Sequence, residues 1–136
     1  MEQEDLTEKV IGCAIKVHST LGPGFLESVY QNALAHELNN AGLRFVCEKP
    51  IAVRYEGIIV GEFSADVLIE EKIMVELKAS QSLVPAHEVQ LVNYLTATNI
   101  EIGLLLNFGA AKLEFKRKAV PIGQSNRRKS SLCRSS

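Results

Sequence analysis

The chain reads as an α/β protein, a mixed sheet of four to five strands flanked by helices. Three observations predict it. Apolar residues recur at helical spacing up to Asn40 and at alternate positions from Phe45 to Ala79. A proline-led helix then separates that run from a nearly all-apolar segment, Ile102 to Leu106. Helices, a three-strand meander, a crossover helix and a further strand give a sheet with both pairing directions.

The first helix opens at Asp5, with Glu8 three residues on as an acidic variant of the capping box. Leu6, Val10, Cys13 or Ala14, Val17 and Leu21 form one apolar stripe, so Cys13 is expected in the core. Gly22-Pro23-Gly24 ends the helix, because glycine accepts a left-handed cap and proline cannot continue it. His18 near that end is expected at the surface or in a capping role.

A second helix runs from about Phe25 to Asn40, with Leu26, Val29, Ala33, Leu34 and Leu38 on its core face. Glu27 sits in its first turn, where an acid is favoured by the exposed N–H groups and the dipole. Tyr30 and Gln31 follow one turn later, on the same side.

The period then changes to two. Phe45–Tyr55, Ile58–Ile69 and Lys72–Ala79 read as an antiparallel meander. Pro85 marks the first turn of a third helix reaching Thr98, which carries His87, Gln90 and Tyr94 along one side. Ile102–Leu106 reads as a strand covered on both faces, and Lys112–Val120 as an edge strand blunted by lysines.

With 136 residues, 46% hydrophobic and 23% charged, the chain fits one folded domain, residues 1–122. Residues 123–136 form a Ser- and Arg-rich tail without apolar period, expected to be disordered. The charge is unevenly placed. Of 15 Lys+Arg, four (Arg127, Arg128, Lys129, Arg134) lie in the tail where no acid does, leaving eleven against 16 Asp+Glu in the body. No apolar run approaches the ~20 residues of a membrane span, and the acidic start lacks a secretory apolar segment, so the expected location is cytoplasmic. Cys13, Cys47 and Cys133 are odd in number and widely spaced, suggesting neither a disulfide framework nor a zinc site.

The chemistry concentrates on one hairpin. Val67, Ile69, Ile73, Val75 and Leu77 alternate around a polar break at Glu70-Glu71-Lys72. With that break as the loop, Asp66 lands opposite Glu76, and Lys78 follows on the same face. Two carboxylates held at cross-strand distance repel, and a shared divalent cation relieves the repulsion. Their hard oxygens suit Mg²⁺ or Mn²⁺, and a lysine beside them can orient a water or stabilise developing charge. The simpler reading is a solvated hairpin face with a Glu–Lys pair.

Three motifs accompany that hairpin. Gly24 to Tyr30 reads G-x-x-E-x-x-Y, Asp66 to Lys78 reads D-x9-E-x-K, and Gln90 to Tyr94 reads Q-x-x-x-Y. In this order the chain, from roughly Leu6 to Val120, resembles the GxxExxY protein family within the PD-(D/E)XK nuclease superfamily. The resemblance implies a restriction-endonuclease-like fold. It implies Asp66 and Glu76 as metal ligands assisted by Glu27, and Lys78 as the residue that positions or activates the attacking water. Gln90 and Tyr94 resemble the helix that orients the site or contacts DNA in RecB-like members. Ala65 stands where the superfamily's name has proline, a residue that shapes the strand and does no chemistry.

The function this implies is a metal-dependent phosphodiesterase hydrolysing DNA or RNA, with catalytic Asp66, Glu76, Lys78 and Gln90. Tyr94 and the tail residues Arg127, Arg128 and Lys129 would contact nucleic acid. Two rivals keep the same residues in view. One is a non-catalytic module that uses the nuclease fold to bind nucleic acid or protein, and the other a structural acidic domain whose basic tail docks a polyanion. No membrane partner is expected, and the oligomeric state stays open, a homodimer included.

Overall fold

The computed structural model describes residues 3–121. Within them lie α1 (Gln3–Leu21), α2 (Glu27–Asn40), β1 (Phe45–Tyr55), β2 (Ile58–Ile69), β3 (Ile73–Lys78), α3 (Pro85–Thr98), β4 (Ile102–Asn107) and β5 (Glu114–Ala119). The five strands lie side by side in chain order. β1–β2, β2–β3 and β4–β5 are antiparallel, whereas β3 and β4 are parallel because α3 carries the chain back between them.

Two cores sandwich the sheet. On one face Leu6, Val10, Ala14 and Val17 of α1 and Tyr30, Leu34 and Leu38 of α2 bury against the odd-numbered residues of β3 and the even-numbered ones of β4. On the other, Leu91 and Leu95 of α3 cover Leu68, Met74 and Leu105. A Cβ on Gly103 would press on Leu91 and Leu95, so glycine lets α3 lie close on β4. β3 and β4 are therefore buried on both faces, as expected of strands beside a crossover helix.

Four readings of the helices need correcting. α1 is already helical at Gln3, which puts Asp5 inside its first turn rather than at its cap. Cys13 is only partly buried, and Ala14 takes the core position. α2 starts two residues later than expected, leaving Leu26 exposed at its N-cap. His18, 7% exposed, is not a surface residue. Its Nε2 pairs with the Ala110 carbonyl at 2.8 Å, tying α1 to the segment after β4.

The end of β4 is closed by a polar clip. Buried Asn107 accepts N–H bonds from Ser80 and Gly109 through Oδ1 at 3.0 and 3.1 Å. Its Nδ2 donates to Ser80 O and Glu114 Oε1 at 2.9 and 2.8 Å. A Cβ at Gly109 would overlap the backbone of Ala79 and Ser80. The chain leaving β3 just after Lys78 is thus held in one position.

Candidate active site

The β2–β3 ladder pairs Ile69 with Ile73, Leu68 with Met74 and Val67 with Val75, and there it stops. The next positions are Asp66 and Glu76. Instead of a backbone pair, the half-buried Asp66 accepts the Leu77 N–H through Oδ2 at 2.7 Å. The two strands part around a carboxylate that takes the place of a carbonyl.

β1 and β2 also turn over at this point. Phe45, Cys47, Val67 and Ile69 face the α1/α2 core, whereas Ile51, Phe63 and Ala65 face the α3 core, although all are odd-numbered. A regular strand keeps one parity on one face. The switch falls between Cys47↔Val67 and Lys49↔Ala65, where the pairing omits Glu48 and Asp66. Glu48 sits there at φ 55°, a left-handed conformation rare for a strand glutamate.

Glu76 is 8% exposed, and its Oε1 is buried without a hydrogen-bond partner among the described residues. Its pKa is pushed up to about 8, first by burial and then by the charge of Asp66; the Asp66 N–H and Lys78 oppose the shift, and Glu48 adds to it. Asp66 is raised as well, by burial first, against the Leu77 N–H bond; the charges of Glu48 and Glu27 raise it further and Lys78 lowers it. Among the described residues the direct ion pairs are Lys16–Glu37, Arg44–Glu70 and Lys118–Glu88. Lys78 therefore stabilises both carboxylates through its charge without clasping either one.

The other motif residues divide. Tyr30 does not line the site. It is fully buried, stacks on Phe108 at 4.7 Å, donates to Gly22 O at 2.6 Å and accepts the Phe25 N–H at 3.1 Å. It is the staple of the α1–α2 loop. Glu27 is exposed in the first turn of α2 and reaches Asp66 only through its charge. Gln31 is the residue of that helix that touches the site, its Nε2 donating to Asp66 O at 2.8 Å.

Tyr94 stacks on Phe63 with ring centres 3.6 Å apart, and its pKa is raised by burial and then by Glu76 and Asp66. It stands in the field of the carboxylates. Gln90, one turn earlier, is exposed, and no hydrogen bond among the described residues ties it to them. His87 serves as a cap, its Nδ1 accepting the Val84 N–H at 3.3 Å. Arg127, Arg128 and Lys129 lie outside the described residues.

The sequence reading missed Glu48 and Phe63. Alternating apolar residues make β1 look regular, and Pro50 is the one signal against it, since proline inside a strand marks an edge or an irregularity.

A buried carboxylate oxygen with no donor, beside a second carboxylate, is the environment a hard cation fits. Asp66 and Glu76 supply the oxygens for it. Among the described residues no three His, Cys, Asp or Glu side chains converge as a ready-made cage, so neither Glu27 nor Glu48 closes a ligand set with Asp66 and Glu76 as the side chains stand. An open site that keeps waters on the ion is the arrangement magnesium prefers.

Comparison with known proteins bears on the fold. Residues 4–118 match the model of the PD-(D/E)XK nuclease superfamily. No curated protein matches the chain. Among solved structures, the crystal structure of SSO0001 is similar, with a TM-score of 0.54 and 19% identity over 77% of this chain. At that identity the likeness is one of fold, and this chain covers 56% of that one's length.

Proposed function

Because the chain belongs to the PD-(D/E)XK nuclease superfamily, we propose that it is a divalent-metal-dependent phosphodiesterase acting on DNA or RNA. Its motif order, G-x-x-E-x-x-Y before D-x9-E-x-K and Q-x-x-x-Y, supports placing it with the GxxExxY family inside that superfamily. The observation that carries the reading is the unpartnered buried Oε1 of Glu76 beside Asp66. Leaving a buried polar atom unsatisfied costs about 1–3 kcal/mol, and a charge costs more. A binding module without catalysis has no use for that penalty.

Asp66 and Glu76 would hold Mg²⁺ or Mn²⁺. Such an ion, when bound, lowers the pKa of water and neutralises charge at a phosphoryl centre. Asp66 is oriented for this by the Leu77 N–H and Glu76 by its place on a rigid central strand. Lys78, on the same face, supplies a cation that orients the attacking water and stabilises charge on the phosphate. The stacked Phe63–Tyr94 pair offers an aromatic surface next to the carboxylates, suited to a base or sugar of the substrate.

A panel of single- and double-stranded DNA and RNA, incubated with Mg²⁺ or Mn²⁺, tests the proposal. Wild-type protein is expected to cleave at least one substrate and Glu76→Gln none. Wild-type protein that binds a substrate without cutting any of them would overturn it.

A further inference from the structure

Glu48 belongs to none of the motifs, yet its surroundings converge on the carboxylates. It faces Asp66 across β1 and β2, neither residue taking part in the ladder. Its Oε2 accepts from Gln31 Nε2 at 3.3 Å, and the same amide nitrogen donates to Asp66 O at 2.8 Å. One α2 side chain thus spans both acids.

Resting on the cation site proposed above, we infer that Glu48 is its third acidic side chain, completing with Asp66 and Glu76 the oxygen ligands of a divalent cation. The independent sign of a ligand here is the Glu76 Oε1, buried and unpartnered next to this group. Mg²⁺ and Mn²⁺ bind several oxygens at once, and two carboxylates leave positions for a third from the solvent side. Glu48 is exposed, anchored among the described residues by the longer of the Gln31 bonds, and so has the freedom to swing onto an arriving ion. Glu27 is the weaker candidate. Its charge raises Asp66 less than that of Glu48, which raises Glu76 as well.

The left-handed backbone supplies a clean test. Asparagine tolerates φ near 55° better than glutamate, so Glu48→Asn removes the carboxylate without straining β1. Titrate Mn²⁺ calorimetrically into wild type, Glu48→Asn, Glu27→Gln and Glu76→Gln, with a melting curve for each. Glu48→Asn should melt at or above the wild-type temperature and bind Mn²⁺ at least about tenfold more weakly. Glu27→Gln should stay near wild type, and Glu76→Gln should lose most binding. Wild-type affinity in Glu48→Asn, with binding lost in Glu76→Gln, would overturn the role of Glu48 and leave the Asp66–Glu76 site standing. Wild-type affinity in Glu76→Gln would remove the site itself and this inference with it.

Discussion

Glu70 and Glu76 lie on the same hairpin and meet opposite fates. Glu70, at the turn, accepts the Arg44 N–H at 2.7 Å and pairs with its guanidinium at 3.2 Å, and these bonds hold its pKa below the usual range. Glu76, at the other end, is buried beside a second acid, raised to about 8, with one oxygen unpartnered. Both could have been satisfied by a single basic side chain. The turn end is arranged to hold the chain, with Glu70 and Glu71 at positive φ and Lys72 N–H bonded to Ile69 O at 2.9 Å. The open end keeps an unfavourable electrostatic arrangement, which the cation proposed for it would relieve.

The contrast can be broken most severely at Glu76. Glu76→Gln and Asp66→Asn should remove metal-supported cleavage below detection while the far-UV circular dichroism stays native. Cleavage at wild-type rate in either variant would put the chemistry elsewhere. Lys78→Met comes next. It should still bind the ion but lose about 10²-fold or more in turnover, as removal of an electrostatic stabiliser does, which single-turnover kinetics would measure.

Stability against pH sharpens the comparison further. An acid whose folded-state pKa lies above its unfolded value binds protons more tightly when folded. The contribution of Glu76 is therefore complete below its ordinary 4.5 and is lost as pH rises toward about 8. At ~1.36 kcal/mol per pKa unit the loss is on the order of 3–5 kcal/mol, measurable by urea unfolding across that window. Glu76→Gln should flatten the slope. Glu70, with its lowered pKa, acts the other way and outside this window, since its contribution is lost only as pH falls below the usual carboxylate range. Glu70→Gln should have the smallest effect, lowering the melting temperature slightly and leaving cleavage untouched, because its partner Arg44 is largely solvent-exposed.

Much of this was legible in the chain. Alternation located β1 and β2 at their observed ends, and the break at Glu70-Glu71-Lys72 set the register that brings Asp66 to Glu76. Periodicity works there because one face of each strand must be apolar. It failed where a polar group serves the interior. Tyr30, one turn after Glu27, reads as sharing its side of the helix, but its ring fills the core and its hydroxyl bonds the loop before α2. His18 looked exposed because the carbonyl that buries it comes from Ala110, far along the chain. Glu48 was invisible because a strand that turns over without gaining a residue keeps its alternating letters.

The central claim is that the Asp66–Glu76 end of the hairpin is held ready for a divalent cation. A ¹³C NMR titration of the Glu76 carboxyl, with and without Mg²⁺, tests it most directly. Without the ion the carboxyl should titrate near pH 8. With Mg²⁺ the midpoint should fall toward or below the ordinary carboxylate value, as the ion displaces the proton. An ordinary midpoint that Mg²⁺ leaves unmoved would contradict the account.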